Sequence, residues 1–541
     1  MPPHKQVPSL QSSTLKLVAY LLRRLCCDWN VSTDKLQSVI DHIQVHIPPQ
    51  IQALVCRTVL QYSTNKIVFP ELLNQKYLML CTQLHAKYLW INNSQALVPL
   101  LKELDGYSVQ ILKMVGSNSE DIYLESYMYG FQKGAQLEGL YHFLRTLSNL
   151  TMLKCSQMCD NYMLEIISQS CPHLEDLSIE MCTDVDDEGV FYLAGHLPTP
   201  DTYSRIRRGA QIPSKSVCTK LKKVNFDYTM ASTASAVMLL HLCPLVEELN
   251  VTPDVKIEDV FTTLHGSDPE RYPEVKAKYT LKVIHTYTEI DENELALIVR
   301  TCPHLEDVTL RCNGVERKDR NLLANLLSLK IITLNVMNCN MLALLWYLSQ
   351  RGDHLLSLTI QHLTNSPANL TFTRTHLQKV IQTCPKLQKF TLKLNNNPMQ
   401  PDLPYSSFGS QMSYFQSLSH LMLEGAAVTP EDLTVLVGKC KKLTELHILI
   451  HNLDMLNDQV LYSLLDSGSL ESLQTLFLYR PMLTLAGLKR LLDRCPHLHT
   501  LGPISSWAIE KKDREALMKE IRLNNWDLNI ESPEMMHLII Q

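Results

Sequence analysis

The chain has 541 residues, with 50 Lys and Arg against 55 Asp and Glu for a formal net charge of −5, 45% hydrophobic residues and only 17 glycines. That length exceeds what one globular core supports, so several domains or an elongated repeat are expected. The slightly acidic balance argues against a general nucleic-acid or anionic-membrane binder, which needs a broad basic surface, and the scarcity of glycine leaves little for phosphate loops or flexible linkers.

The N-terminal stretch has no basic head followed by an apolar run and a cleavage site. Arg23 and Arg24 interrupt its apolar segment, and no later window reaches about 18 uncharged apolar residues. Export and membrane spanning are therefore not expected; the protein is expected in the cytoplasm or nucleus, with its 16 cysteines reduced. Triplets such as Asn149-Leu150-Thr151 are then not glycosylated.

Residues 1–79 read as a small all-α region. Leu15, Val18, Leu22 and Leu25 fall on one helical face, with Leu17 and Leu21 close by. Thr33 and Asp34 offer a cap to a second helix carrying Leu36, Val39, Ile40 and Ile43. A third helix follows Pro48 and Pro49 and carries Ile51, Leu54, Val55 and Val59, the prolines suiting a helix start.

From residue 80 to 505 the spelling changes. "CPHLEDLSIEMC" at 171–182 returns as "CPHLEDVTLRCN" at 302–313, and its frame L-x-x-L-x-L recurs along the chain. Copies anchor at Leu150, Leu174, Leu221, Val246, Leu305, Ile331, Leu355, Leu387, Leu418, Leu443 and Leu473, with weaker ones at Ala86, Val109, Leu281 and Leu498. Neighbouring anchors such as 150 and 174, 221 and 246, or 331 and 355 lie 24 or 25 residues apart. That period is the leucine-rich-repeat period, so the fold class expected is α/β: a horseshoe solenoid in which each unit adds one strand to a parallel ribbon and one helix behind it. The recurrent Cys-Pro ends each helix, because proline cannot continue it and biases the residue before it toward extended backbone. Two stretches stand apart: 198–220, polar and basic through Arg205, Arg207, Arg208 and Lys215, is expected as a long loop, and 506–541 as a C-terminal cap.

The frame, with cysteine before and after the strand, resembles the cysteine-containing leucine-rich-repeat subclass common in substrate receptors of ubiquitin ligases. "TLKLVAYLLRR" at 14–24 resembles the elongin-binding helix of VHL-box proteins, matched by Thr14, Leu15 and Ala19. "IPPQIQALV" at 47–55 is similar to the cullin-contacting pattern, matched by Ile47, Pro48, Ile51 and Val55. The same segment also looks like the first helix of an F-box. The resemblance implies a protein substrate and either elongin B/C or a Skp-type adaptor with a cullin; the alternative is that the helices only cap the repeats.

No GxGxxG, GxxxxGK[ST], HExxH or GxSxG string occurs, so no enzyme and no cofactor are expected. Cys155 and Cys159 form a lone C-x-x-x-C, and the Asp184, Asp186, Asp187, Glu188 run reads as a helix start, so no metal is expected. Partner binding is expected on the x positions flanking the second leucine, which stacking aligns on the concave face. Among these are Tyr88 and Trp90, an acidic stripe through Asp176, Glu180, Glu248 and Asp307, then Arg311, His420, Glu424 and His447, and the aromatics Phe477 and Tyr479, which either meet a partner or lie under the C-terminal cap.

Overall fold

The computed structural model describes residues 17–18, 20–22, 33–47, 51–52, 55, 88–92, 109, 111–115, 138–157, 159–199, 201–207, 212–252, 254–265, 279–362, 372–394, 415–425, 429–438, 440–449, 456–479, 481–524 and 526–530. Thr14, Leu15, Ala19 and Pro48 of the expected adaptor contacts lie outside them, as do the side chains of Tyr88 and Trp90. The chain divides into two compact units, one of Val7–Val283 with Arg300–Pro303, the other of Ile284–Val299 and His304–Gln541 with Met1–Gln6.

Every leucine frame found in the sequence is a strand. The first unit holds β1 (Tyr88–Asn92), β2 (Ile111–Val115), β3 (Met152–Ser156), β4 (Asp176–Ser178), β5 (Lys223–Asn225) and β6 (Glu248–Asn250). The second holds β7, which begins at its boundary (Val283–Glu289), β8 (Asp307–Arg311), β9 (Thr333–Met337), β10 (Ser357–Gln361), β11 (Lys389–Lys393), β12 (His420–Glu424), β13 (Glu445–Leu449), β14 (Thr475–Leu478), β15 (Thr500–Gly502) and β16 (Asn529–Ile530). Within each unit the strands lie in chain order and pair in parallel. The second leucine of each frame forms a continuous rung: Leu153, Leu177, Val224 and Leu249 are in register in one unit, and Val308, Leu334, Leu358, Phe390, Leu421, Leu446 and Leu476 in the other. This is a leucine-rich-repeat solenoid. The ribbon runs on to Ile530, past residue 505, because the C-terminal segment contributes β16, too short to carry the frame that marks the others.

Alternate strand residues are buried in repeats such as β9 and β10, and intervening helices bury an apolar face, with Thr233–Leu242 covered all round. Leu334 and Val336 of β9 and Met341, Leu344, Leu345 and Leu348 of the helix Met341–Arg351 are examples. Each such Leu contributes about 1.5–3 kcal/mol on burial.

One corner recurs with nearly fixed geometry. The helices Asn161–Ser170, Thr233–Leu242, Arg374–Thr383 and Leu485–Arg494 end on Cys171, Cys243, Cys384 and Cys495, all with φ between −118 and −112° and ψ between 64 and 79°. In each the cysteine N–H closes the helix on the carbonyl four residues back, and its own carbonyl accepts from the N–H of the first leucine-frame residue three positions on, at 3.2–3.3 Å. Cysteine fills this buried turn, with proline next to stop the helix; in two other repeats a buried leucine takes the place, Leu150 N–H reaching Leu147 O and Leu473 N–H reaching Leu470 O at 3.1 Å. Cys440-Lys441-Lys442-Leu443 makes the same turn without proline, Leu443 N–H reaching Cys440 O at 3.1 Å.

The 198–220 stretch departs from the expected loop. Thr202–Arg207 is helical. Lys215 N–H bonds Gly195 O at 2.9 Å, Val217 N–H bonds Ser168 O at 2.8 Å, and the thiol of buried Cys218 lies 3.2 Å from Ile167 O. Cys218 stands three residues before its leucine as the corner cysteines do, but no helix ends on it and its N–H donates to Ser216 Oγ at 3.1 Å; the segment is anchored on the repeat before it. The sequence signal was there, spelled with threonine in place of proline.

The helix starts are tied to one another by a second recurrent device. The first helical residue of one repeat accepts the N–H of the capping residue of the next: Asn161 Oδ1 from Asp186 at 3.1 Å, Asp187 Oδ1 from Ser232 at 2.7 Å, and Asp458 Oδ1 from Thr484 at 3.0 Å. The capping hydroxyls of Ser232 and Thr484 donate to the same carboxylates at 2.6 Å. Three residues beyond each cap stands a small residue: Gly189, Ser235 or Gly487. A Cβ at Gly189 would lie 2.3 Å from Asn161 Oδ1, and one at Gly487 2.2 Å from Asp458 Oδ1. Asp319 makes a variant of the tie from one turn further in, accepting from Asn340 N–H at 2.8 Å.

Candidate functional site

The helix-free face of the sheet is built in rows, because parallel pairing in register brings equivalent letters side by side. In the first unit the lower row reads Met152, Asp176, Lys223, Glu248. Lys223 Nζ lies 2.7 Å from Glu248 Oε2. The expected acidic stripe is thus interrupted: a lysine sits in register between Asp176 and Glu248, and Asp307 belongs to the other unit. The Lys223 letter was visible in its frame, "LKKVNF", but the stripe was read from acidic positions alone.

Glu180 stands two residues past Ser178 at the upper end of this face, its carboxylate accepting from Ser156 Oγ at 3.3 Å and Asn225 Nδ2 at 3.4 Å. Asp227 occupies the equivalent place on the next repeat, accepting Tyr228 N–H at 3.0 Å. Burial and the neighbouring Glu180 charge push the Asp227 carboxyl above its usual range. Sequence reading missed Asp227, since this frame was not carried past its sixth letter, Phe226, to the next.

In the second unit the charged face residues are largely paired across strands. Lys393 meets Glu424 at 2.9 Å, and His420 Nε2 meets Glu445 Oε1 at 3.1 Å. Arg311 Nη1 donates to Tyr287 O at 3.1 Å, and Asp307 is half-buried at the start of β8. Burial lowers the pKa of His447, whose ring lies 5.0 Å from Phe477. Tyr287 is an exposed aromatic stacked on His285 at 6.3 Å, and it too was missed.

Phe477 corrects an expectation. It is only 3% exposed, so it offers no aromatic to a partner. Opposite it on β15 stands Gly502, with no side chain. Trp507, just past that strand, donates Nε1–H to Leu478 O at 3.0 Å. The following segment of the chain, rather than a partner, closes this end; Tyr479 is half-buried with its N–H on Ile448 O at 3.1 Å.

Of the N-terminal residues, Ile47 and Ile51 are half-buried, whereas Val55 is 1% exposed. Val55 therefore belongs to the packing of the helices and cannot face a cullin in this conformation. Leu22, Leu36, Ile40 and Ile43 are buried too, and Leu17, Tyr20 and Leu21 are left outside as an exposed apolar stripe at helical spacing.

One group could be mistaken for a metal site: Cys312, Asp319 and Cys339, all buried with ligand atoms within 4.8 Å of one another. Asp319 is occupied as an inter-repeat tie, accepting from Asn340 and also from Asn313 N–H at 3.2 Å, and three donors fall one short of a closed structural zinc site. Among the described residues no helix is long and apolar enough to cross a membrane.

No known family model and no curated protein matches the chain. Solved structures similar to it include an internalin from Listeria monocytogenes, at 14% identity over 72% of this chain and 88% of that one with a TM-score of 0.34. Another is the mouse RP105/MD-1 complex, at 15% identity over 78% of this chain and 61% of that one, also with a TM-score of 0.34.

Proposed function

We propose that the protein is a non-catalytic substrate-recognition subunit of a cullin-RING ubiquitin ligase, acting in the cytoplasm or nucleus. Its N-terminal helices dock on elongin B/C, or on a Skp-type adaptor, with a cullin, while the helix-free face of the repeats holds a protein substrate. The observation that carries this reading is the stripe Leu17, Tyr20 and Leu21, left exposed on a helical segment that buries Leu22 and whose sequence resembles an adaptor-binding helix. The competing reading is a repeat scaffold or inhibitor with no ligase link, in which those helices serve as a cap.

Affinity purification of the full chain separates the two. The receptor reading expects elongins or a Skp-type adaptor together with a cullin. It further expects loss of these proteins in a Leu17→Glu/Leu21→Glu variant and in a Leu15→Glu/Pro48→Ala variant. Recovery of neither adaptor leaves the scaffold.

A further inference from the structure

The residue directly after the strand turn adopts left-handed backbone in successive repeats of the first unit: Gln157 (φ 64°), Met181 (φ 59°) and Tyr228 (φ 53°). The equivalent place in the second unit is filled by Asn338 (φ 55°) and Gly425 (φ 63°), the residue types that tolerate this conformation. The first unit instead puts Met and Tyr there and leaves them half-exposed. Met181 is 48% and Tyr228 50% exposed, and Met230, whose N–H bonds Val185 O beside them, is 66% exposed. Strained backbone and uncovered apolar side chains coincide on one edge of neighbouring repeats.

The row just inside this lip explains what it would take. Glu180 and Asp227 stand at equivalent places two residues past the ends of the paired strands β4 and β5, whose spacing is about 4.8 Å, and neither pairs with a Lys or Arg among the described residues. In the second unit the same row carries Lys393 against Glu424 at 2.9 Å. The first unit has two anions where the second has an anion and a cation. The nearby Lys223 is engaged by Glu248, and Lys154 lies one row further in, beside Ser178.

We propose that this lip, Met181, Tyr228 and Met230 over Glu180 and Asp227, is the docking site for a protein segment that carries a lysine or arginine between apolar side chains. The cation sits between the two carboxylates and against the Tyr228 ring, and the flanking apolar groups cover the two methionines. This deepens the reading of the repeats as a protein-binding surface and is independent of any adaptor.

The test uses the full chain and fluorescein-labelled peptides with one arginine flanked by leucine and phenylalanine, compared with the same peptides carrying glutamate for arginine or serine for the apolar pair. Anisotropy is expected to show saturable binding of the first set and a loss of about tenfold or more for each of the others. Glu180→Gln/Asp227→Asn should abolish the preference for arginine over glutamate. Met181→Gly/Tyr228→Gly relieves the left-handed strain, so it should raise the melting temperature while weakening binding about tenfold. Equal binding of the arginine and glutamate peptides, or binding unchanged in either double variant, overturns the proposal. Peptide binding without adaptor recovery would sink the ligase reading alone; adaptor recovery without arginine preference would sink this one.

Discussion

Burial pushes the thiols of Cys171, Cys218, Cys243, Cys302, Cys440 and Cys495 up to about 12 and that of Cys384 to about 11, far from the range of a nucleophilic or metal-binding thiolate. These buried side chains fill the corner as small apolar groups. Two imidazoles, His265 half-buried and His362 buried, carry the matching acid liability. His265 is lowered to about 4, first by burial and then by the charge of Arg300, and its Nε2 lies 3.2 Å from Tyr279 Oη. His362 is lowered to about 4 by burial and by His376. A depressed folded-state pKa means the unfolded chain binds more protons, so this stability is present above the usual value of 6.5 and is lost as pH falls toward 4. The melting temperature is expected to drop between about pH 6.5 and 4, and His265→Gln, which keeps an acceptor for Tyr279, should make that drop shallower by a few degrees in a thermal scan. The corner cysteines could be read from the sequence because Cys-Pro repeats. The histidines could not, since nothing in the letters around His265 says that it points inward.

At the scale of the element, the tie between helix starts predicts effects that local propensity does not. Asp458→Ala removes the acceptor for both the N–H and the hydroxyl of Thr484, and should cost about 1–3 kcal/mol in urea unfolding. Gly487→Val brings a branched side chain to where a Cβ alone would already lie 2.2 Å from Asp458 Oδ1, and should cost at least as much. Thr484→Ala, which removes only the capping hydroxyl, should cost about 1 kcal/mol. If Gly487→Val were neutral, the tie would not matter. The strand elements were legible because L-x-x-L-x-L fixes which side chains are buried, and burial is what the letters encode most strongly. The helix Thr202–Arg207 and β16 were not: one is a single polar turn, the other two residues long, and neither carries enough apolar periodicity to stand out.

For the whole molecule, stability in a stacked array is a sum of repeats and the interfaces between neighbours, so damage stays close to where it is made. Leu334→Ala in β9 should cost about 2–5 kcal/mol. In hydrogen exchange it should deprotect β8, β9 and β10 while β3, β4 and β5 keep their wild-type rates. Uniform loss of protection would mean that the chain unfolds as one cooperative block. The candidate binding face was only half legible at this scale. Strand positions gave its rows, but its charge depends on which letters stand beside which. That pairing set Lys223 between two carboxylates, left Glu180 and Asp227 at equivalent places on neighbouring repeats, and buried Phe477 opposite a glycine.

The chain of carboxylates and small residues along the helix starts also bears on how such an array can grow. Grafted between two helices tied in this way, a whole repeat would join its neighbours like a tooth in a zipper only if it brought Asp or Asn to begin its helix and a residue no larger than serine three places after its cap. Gain or loss of complete units is therefore a permitted kind of change here, whereas a partial unit would leave one carboxylate without its amide and one cap without its seat.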